Sequence, residues 1–436
     1  MRHDRLSAVD RRGFLGLGTL LGLGALAAPS PLMAMLREAA DWPTVSKNIH
    51  SYVDTRKVAG MMATIGWGTD APVSLTAGHL SLDPSPEVNA DTLWRLYSMT
   101  KPVTGMAAMM LIGDGKMRLD QPVADFIPEF SDMRVLTDPA NSLDSVPAKN
   151  PVTIRNLLTH TAGLGYSIVT KGPLLQTYLD NGILPGVVSR QPIPGFEGGA
   201  EVPSLDEFAR RVGGLPLIAE PGTKWSYSIG LDVMGRVIEV ASGMSFDAFL
   251  QTRIFDPLDM TSTFFQVPES EAHRLATNYA VIGGLLIPID PGKTSIFLDK
   301  PAFPFGGAGL VGSARDYDRF LAMLMGGGTL DGTEVMSRAM VDLGTSNLLP
   351  DGVDLTGTWV AGQGFGAGGR VGLGPRAGTY GWAGAAGTVG GIDRQRGLRA
   401  SGYTQYMPSE VYPFQGAFYE WVYADAAAMA QAKAAA

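Results

Sequence analysis

Two residues three positions apart, Ser98 and Lys101, form the first pair in this sequence that is able to do chemistry together. They stand directly before a strongly apolar helical stretch, and Pro102 fits there because the first turn of a helix needs no backbone donor. Residues i and i+3 share one helix face, so the lysine amine can approach the serine hydroxyl. Desolvation under an apolar helix favours the neutral amine, a base able to activate a serine nucleophile. The pair predicts nucleophilic catalysis, although S-x-x-K alone is a common pattern and Ser98 can also act as a helix cap.

A tyrosine in the middle of the chain is a candidate proton acceptor for this serine. Tyr227 follows a Pro-Gly turn at residues 221–222 and precedes a helical stretch that starts near Leu231. A tyrosine beside an ammonium group ionises more readily, since nearby positive charge favours the phenolate, which can take the serine proton. The alternative is that Tyr227 is an interfacial aromatic residue whose hydroxyl simply has a hydrogen-bond partner.

A segment of small residues nearer the C-terminus is a candidate for holding the substrate carbonyl. Residues 380–388 include Trp382, Gly384 and Ala385 and have the pattern of a strand with small side chains. Such a strand lets a carbonyl group lie against its edge, where a backbone N–H can donate to the developing oxyanion. The helix dipole and the free amides of the first helical turn also favour negative charge at Ser98.

The elements that position these residues can be predicted from apolar periodicity and turn residues. Residues 61–77 have the pattern of a β-hairpin, and residues 101–111 that of a buried helix. Further helices are predicted at residues 154–158, 208–212, 231–241, 246–254 and 316–325, and short strands at residues 359–406. The segment 165–203, rich in Gly and Pro, is predicted to be a long surface loop. The result is a two-lobed α/β protein whose sheet is built from both ends of the chain, with a helical lobe at about 119–223 inserted between them.

Composition excludes several classes of function. The chain has 436 residues, of which 45% are hydrophobic, so it can bury a large core. A net charge of −8 and the lack of a polybasic run give no basis for nucleic-acid binding. The absence of cysteine rules out thiol catalysis and cysteine metal sites, and no H-E-x-x-H motif occurs.

The first 34 residues have the pattern of a targeting signal. Arg11 and Arg12 precede an apolar run at residues 14–28, which is shorter than the ~20 residues that span a bilayer. We expect a cleaved twin-arginine signal peptide at 1–34, a partner role for the twin-arginine export machinery, and a periplasmic or secreted location. A membrane anchor is the alternative. The mature form is expected to have no stable membrane span, with one catalytic domain at 35–424 and a frayed Ala-rich tail at 425–436.

The three fragments, in this order, resemble the β-lactamase-related serine hydrolases, and most closely the family VIII carboxylesterases. Shared blocks elsewhere in the chain strengthen the resemblance, at residues 157–164, 220–223, 255–261 and 309–314. It implies a β-lactamase/transpeptidase-like fold, an antiparallel sheet flanked by helices plus the inserted helical lobe. It further implies no cofactor and a small-molecule ester, amide or lactam as substrate.

The resemblance also assigns roles to residues. Ser98 matches the acyl-accepting nucleophile, Lys101 and Tyr227 match the pair that moves its proton, and the oxyanion would lie between the amides of Ser98 and Ala385. Trp382 and Gly384 belong to the stretch that stands where β-lactamases have Lys-Thr-Gly. Ile229 stands where class C β-lactamases have Asn. Both departures weaken the penicillinase interpretation and suit an uncharged ester.

Several alternatives stay open at this point. A β-lactamase or penicillin-binding-type D-amino peptidase, or an acyltransferase, would use the same acyl-enzyme, and a noncatalytic binding protein could retain the fold. An α/β-hydrolase would need a G-x-S-x-G elbow, and no serine here has glycine at both positions. His160 is interpreted as a hydrogen-bonded packing residue. Tyr166, Leu184 and Phe196 are candidate lining residues for an apolar substrate pocket.

Overall fold

The computed structural model describes residues 41–191 and 200–435, so the predicted signal peptide at 1–34 and the predicted lining residue Phe196 lie outside the described residues. The strands, in chain order, are β1 (Gly60–Trp67), β2 (Val73–Gly78), β3 (Leu93–Arg95), β4 (Arg134–Leu136), β5 (Ser145–Pro147), β6 (Thr263–Phe264), β7 (Asn278–Ile282), β8 (Leu285–Asp290), β9 (Val311–Ser313), β10 (Thr329–Leu330), β11 (Thr333–Glu334), β12 (Gly364–Phe365), β13 (Arg370–Val371), β14 (Thr379–Gly384), β15 (Thr388–Asp393), β16 (Leu398–Tyr403) and β17 (Tyr406–Met407). The helices are α1 (Pro43–Asp54), α2 (Thr100–Gly113), α3 (Ile154–Leu158), α4 (Pro173–Asp180), α5 (Leu205–Gly213), α6 (Gly230–Ser242), α7 (Phe246–Leu250), α8 (Ala314–Met325), α9 (Arg338–Gly344) and α10 (Phe414–Ala435).

The main sheet is antiparallel and has seven strands in the order β12-β13-β14-β15-β16-β1-β2. β1 lies between β16 and β2, with Met62 opposite Tyr403 on one side and opposite Thr76 on the other. Seven of its eight residues are buried, because both faces of this strand are covered. The β1–β2 pairing confirms the predicted hairpin, and β12 to β17 confirm the short strands predicted for the C-terminal third.

One face of the sheet is covered by α1 and α10, which pack on each other through residues such as Val45 and Phe414. Asp425 of α10 is buried, and its carboxylate accepts the amides of Thr44 at 2.9 Å and Val45 at 3.0 Å. Amides in a first helical turn have no intrahelical partner, so this carboxylate caps α1. The prediction of a frayed tail at 425–436 is therefore wrong for residues 425–435: alanine favours helix, and Asp425 anchors it.

The opposite face of the sheet is covered by α8, with α2 packed alongside β14. Every residue of α2 from Thr100 to Leu111 is buried, which confirms the predicted buried helix. Ser313 caps α8 by accepting the amide of Asp316, as expected from its position before the apolar stripe. The Tyr317 hydroxyl donates to the Met99 carbonyl oxygen at 3.1 Å and so ties α8 to the start of α2.

A mainly helical region follows α2 and contains α3, α4, α5 and the β4–β5 hairpin. Thr153 and Ser204 cap α3 and α5, and each accepts the amide three residues on. The loop predicted for residues 165–203 is interrupted by α4, because Pro173 can begin a helix without losing a backbone bond. α6, which follows the predicted lobe, packs against α5 and α2.

This arrangement of an antiparallel sheet flanked by helices, with a helical region inserted between its strands, confirms the predicted α/β class. The start of α2 lies where the sheet meets the helical region, since α2 contacts both β14 and α6. Across residues 41–191 and 200–435, no helix combines the length and the apolarity that crossing a membrane requires.

Candidate active site

The turn that carries Ser98 has an unusual backbone. Tyr97–Met99 form a single 3₁₀ turn between β3 and α2, and Tyr97 has a φ of 44°, in the left-handed region. Residues other than glycine rarely adopt this conformation, which costs about 1–3 kcal/mol. It is held because the Tyr97 ring is buried against Phe297 and its hydroxyl accepts a hydrogen bond from Asn278 Nδ2 at 3.3 Å. The turn presents the half-buried Ser98 side chain in a fixed orientation.

Lys101 lies where the i,i+3 spacing predicts. Its Nζ is 3.2 Å from Ser98 Oγ and donates to the Gly307 carbonyl oxygen at 2.8 Å. The side chain is fully buried, and Nζ also lies 4.7 Å from the centre of the Tyr227 ring. Its recorded polar partners are the Ser98 hydroxyl and the Gly307 carbonyl oxygen, and these two contacts keep the buried amine directed at the serine.

Tyr227 reaches the same serine oxygen from a different part of the chain, the segment just before α6. Its hydroxyl lies 2.7 Å from Ser98 Oγ, so both predicted proton carriers contact the predicted nucleophile. The tyrosine is held on the segment between the 221–222 turn and α6, with its ring 5.2 Å from that of Tyr166. The structure thus brings Ser98, Lys101 and Tyr227 together, and their catalytic roles stay predictions.

His160 lies beside this group but does not contact Ser98. Its Nδ1 accepts the Ser228 amide at 3.2 Å and lies 3.0 Å from the Ser228 hydroxyl oxygen, and its ring is 4.9 Å from that of Tyr227. Burial, and then the Lys101 charge, hold the pKa of His160 well below its ordinary value, so it is neutral. This confirms the packing role expected for it. Within residues 41–191 and 200–435 no group of three His, Asp or Glu side chains is placed to hold a metal ion.

Asp232 is a candidate functional residue that the sequence reasoning missed. It is fully buried in the first turn of α6; its Oδ1 accepts the Gly307 amide at 2.8 Å, while Oδ2 has no hydrogen-bond partner in the described structure. Burial raises the pKa of Asp232 to about 6, although the Lys101 charge and the Gly307 amide oppose this shift. Since Gly307 binds Lys101 through its carbonyl group and Asp232 through its amide, one glycine connects the two charged groups. The only signal in the sequence is an acidic residue within an otherwise apolar stretch.

The end of β14 approaches the serine turn so closely that only glycine fits. A Cβ atom on Gly384 would lie 2.2 Å from the Leu96 carbonyl oxygen and 2.3 Å from Thr388 Oγ1. Ala385 follows directly, and neither its amide nor that of Ser98 donates to an acceptor within the described residues. Because Gly384 lies against Leu96 at the start of the serine turn, these two free amides are candidates for the donors that an oxyanion requires.

Aromatic side chains surround the ring of Tyr227. Trp382 is buried with its ring 5.8 Å from that of Tyr227, whereas Trp359 is 55% exposed and its ring lies 5.2 Å away. The exposed Trp359 was not singled out from the sequence, because a loop tryptophan carries no motif. Of the candidate lining residues, Tyr166 lies at the site, 5.4 Å from Lys101 Nζ, and Leu184 is half-buried.

The two departures from the β-lactamase pattern have different surroundings. Ile229 is fully buried at the start of α6 and packs in the main core, so its side chain fills space rather than contacting solvent. Trp382 lies against Tyr227 and Phe365, where it replaces a cation by an apolar ring. This wall of the site therefore presents an aromatic surface to a bound molecule.

The chain is similar to known proteins over most of its length. Residues 45–424 match the Beta-lactamase family model. The chain is similar to an uncharacterized protein of Mycobacterium tuberculosis, at 33% identity over 71% of this chain and 77% of that protein. It is also similar to Esterase EstB of Burkholderia gladioli, at 31% identity over 79% of this chain and 85% of the esterase. Among solved structures it is similar to EstCE1, described as a hydrolase with promiscuous acyltransferase activity, with a TM-score of 0.69 and 26% identity over 88% of this chain and 98% of EstCE1.

Proposed function

Because this chain belongs to the β-lactamase family, we propose that it is a serine hydrolase that cleaves carboxylic esters through an acyl-enzyme on Ser98. The observation that carries the proposal is the serine oxygen itself, which lies within hydrogen-bond reach of both Lys101 Nζ (3.2 Å) and Tyr227 Oη (2.7 Å). A nucleophile held by two proton-transfer groups is typical of covalent catalysis.

Acylation follows from these contacts. Ser98 Oγ attacks the ester carbonyl carbon and gives its proton to the Tyr227–Lys101 pair, while the amides of Ser98 and Ala385 stabilise the negative charge on the carbonyl oxygen. When the tetrahedral intermediate collapses, the bond to the alcohol oxygen breaks and that oxygen takes the proton from the pair. The product is a neutral alcohol and an ester between the acyl group and Ser98.

Deacylation uses the same groups in reverse. Water gives a proton to the Tyr227–Lys101 pair and attacks the acyl carbon, and the proton then returns to Ser98 Oγ as the carboxylic acid leaves. The neighbouring Asp232 carboxylate, connected to Lys101 through Gly307, balances the positive charge that forms during both half-reactions.

Two observations favour esters over β-lactams. Trp382 supplies a ring where β-lactamases have a lysine, so the residue at that position offers a substrate carboxylate no charge, although the Arg370 guanidinium lies 5.3 Å from the centre of the ring. Esterase EstB, whose name states its activity, resembles this chain over most of both proteins.

Acyl transfer is the second candidate function. EstCE1 is described as having promiscuous acyltransferase activity, and an alcohol that replaces water in the second half-reaction would give the same outcome here. The exposed Trp359 beside Tyr227 offers such an acceptor an apolar surface.

We also propose that the protein acts outside the cytoplasm, after export through the twin-arginine machinery and removal of residues 1–34. The Arg11-Arg12 pair before an apolar run supports this proposal. Replacing both arginines by lysine in the full chain should keep the protein in the cytoplasmic fraction. Unchanged recovery from the periplasm would contradict the proposal.

The central experiment compares a short-chain p-nitrophenyl ester with a chromogenic cephalosporin, using the mature protein and its Ser98→Ala variant. Fast ester turnover, slow cephalosporin turnover and loss of both in the variant would support an esterase. The matched control is Ser270→Ala, which changes an exposed serine. The reverse preference would indicate a β-lactamase or peptidase, and activity that survives Ser98→Ala would exclude Ser98 as the nucleophile.

A further inference from the structure

A cavity lies beside β13, β14 and α10, towards the β12–β13 edge of the main sheet. It has a volume of about 520 Å³. Its lining includes Arg370, Arg376, Trp382, Gln415, Tyr419 and Tyr423. Ser98, Lys101 and Tyr227 are not among its lining residues, and Trp382, whose ring lies 5.8 Å from that of Tyr227, stands between the cavity and the serine site. Its volume falls within the range of cavities that hold small organic ligands.

Two of the arginines at this cavity have no acidic partner. Arg396, the third, forms an ion pair with Asp393 at 2.7 Å. In the described part of the chain, no carboxylate forms an ion pair or a hydrogen bond with Arg370 or Arg376. Glu420 also lines the cavity but is exposed and pairs with neither of them. The cavity therefore carries excess positive charge.

Arg370 is the better placed of the two for binding. Its guanidinium group is largely shielded from solvent and lies 5.3 Å from the centre of the Trp382 ring. Burial, and more weakly the charge of Arg376, lower the pKa of Arg370, although Tyr419 opposes this shift, so the charged form of Arg370 is disfavoured in its surroundings. An anion between them would relieve both the repulsion and the desolvation, and an arginine fork matches a carboxylate with two parallel hydrogen bonds.

The remaining walls of the cavity are largely aromatic and aliphatic. Tyr419 and Tyr423 of α10 face the sheet, with their ring centres 6.2 Å apart. Val389 and Ile392 of β15 also line the cavity. A ligand that fills this space needs an apolar body as well as a negative charge.

We propose that this cavity is a binding site for a small organic carboxylate with an aromatic or aliphatic body. Arg370 and Arg376 bind the carboxylate group, and the body packs against Tyr419 and Tyr423. Inorganic phosphate satisfies the charge but leaves the apolar walls uncovered, so it binds more weakly than an aromatic carboxylate.

The site is connected to the serine site through α10. Gln415 lines the cavity and donates from Nε2 to the carbonyl oxygens of Gly384 at 2.7 Å and Thr388 at 3.0 Å. Gly384 directly precedes Ala385, whose amide is the proposed oxyanion donor. A ligand in the cavity therefore changes the ester hydrolysis rate, a consequence that rests on the proposed function, whereas the binding itself does not.

The test is isothermal titration of the mature protein with benzoate and, separately, with inorganic phosphate. Benzoate should bind more tightly than phosphate, and Arg370→Gln should weaken it by about tenfold or more. Arg370→Lys, which keeps the charge but loses the fork, should give an intermediate loss, and so should Arg376→Gln at an exposed position. Arg253→Gln, at an exposed ion pair with Asp114 outside the cavity, is the control and should bind as the wild type does.

Several results of these titrations would contradict the proposed binding site. Absence of benzoate binding, or binding that Arg370→Gln, Arg370→Lys and Arg376→Gln all leave unchanged, would overturn the proposal, provided that circular dichroism shows the variants to be folded. Equal affinity for phosphate and benzoate would overturn the apolar part of it. Ser98→Ala should bind benzoate as the wild type does, and a loss there would place the ligand in the serine site. Because titration needs no turnover, failure of the esterase function would not be mistaken for failure of this site.

Discussion

The hydroxyl group of Tyr227 lies 2.7 Å from the hydroxyl group of Ser98, although 129 positions separate the two residues in the sequence. Lys101 Nζ reaches the same oxygen at 3.2 Å from a position that is also 4.7 Å from the centre of the Tyr227 ring. Three side chains from two parts of the chain therefore share one proton-transfer geometry. This closeness has a direct kinetic consequence.

The three residues should act as one unit. We expect Ser98→Ala, Lys101→Met and Tyr227→Phe each to lower kcat for a p-nitrophenyl ester by about 10³-fold or more, and the triple variant to lose little beyond that. The reason is that each group is useful only when the other two are present. Steady-state kinetics of the single and combined variants check this, and losses that multiply would contradict the assigned roles.

Gly384→Ala should damage catalysis without touching a reactive side chain. The new Cβ would lie 2.2 Å from the Leu96 carbonyl oxygen, so the end of β14 must move away from the serine turn. Displacing the Ala385 amide should lower kcat by about 100-fold, as removal of an oxyanion donor does elsewhere.

The control for this variant is Gly214→Ala, where the added atom meets its nearest neighbour at an ordinary 3.4 Å. It should leave kcat unchanged. A Gly384→Ala enzyme that melts at the wild-type temperature and retains full kcat would show that Ala385 does not bind the oxyanion.

Trp359 should determine which esters bind well. Its ring is 55% exposed and lies 5.2 Å from that of Tyr227, so it can pack on the alcohol or acyl group of a substrate. Trp359→Ala should raise KM for a naphthyl ester by about 3- to 10-fold and change KM for an alkyl acetate much less.

Trp67→Ala, at a 39% exposed tryptophan that packs against Trp42, serves as the control and should leave both KM values unaltered. Equal changes for the naphthyl and alkyl esters in Trp359→Ala would mean that the ring supports the fold rather than the substrate.

Asp232 should make stability depend on pH in an identifiable direction. Burial raises its pKa from 3.8 to about 6, so the folded protein binds this proton more tightly than the unfolded chain does. The stability that Asp232 contributes by binding this proton is complete below its pKa in the unfolded chain. It is lost as the pH rises through its pKa in the folded protein. Between about pH 4 and about pH 6, the free energy of unfolding of Asp232→Asn should therefore rise relative to wild type, by at most about 1.4 kcal/mol per pH unit.

Urea unfolding of both proteins across this range measures the difference. Asp299→Asn is the comparison, since the hydrogen bond from Arg190 lowers the pKa of this exposed carboxyl and no rise with pH is expected for its variant. A difference between Asp232→Asn and wild type that stays constant with pH would show that Asp232 titrates normally.

The sequence was sufficient for the parts of the site that depend on local spacing. Ser98 and Lys101 meet because i and i+3 share a helix face, and the buried character of α2 follows from its composition. The position of Tyr227 required the family resemblance, because no local rule relates two residues that lie 129 positions apart. Gly384 was predicted to lie in a strand of small residues. Glycine is required there because the Leu96 carbonyl oxygen leaves no room for a Cβ atom, and only the three-dimensional structure shows this.

Asp232 and the tail show why the rest could not be predicted. An acidic residue in the first turn of a helix is ordinary on a surface, and only packing shows that this one is buried beside Gly307. The Ala-rich segment has helix propensity but no apolar stripe strong enough to predict docking. It is held by the Asp425 carboxylate, which accepts the amides of Thr44 and Val45, and by apolar contacts of Ala426 and Met429. Long-range polar contacts of this kind leave no periodic pattern.

The position of β1 between β16 and β2 also bears on how the protein is made. Because Met62 of β1 pairs with Tyr403 of β16, one edge of β1 has no partner strand until the ribosome has synthesised β16. Folding from the N-terminus during translation is then limited to local hairpins and helices. The reason is that the entropy cost of closing so long a loop arises before the long-range contacts that stabilise the sheet can form. The serine turn and β14 come together only with that closure. A chain whose synthesis stops before β14 has Ser98, Lys101 and Tyr227 but lacks three of the seven strands of the sheet and the Ala385 amide, so we expect it to be inactive until those strands are added.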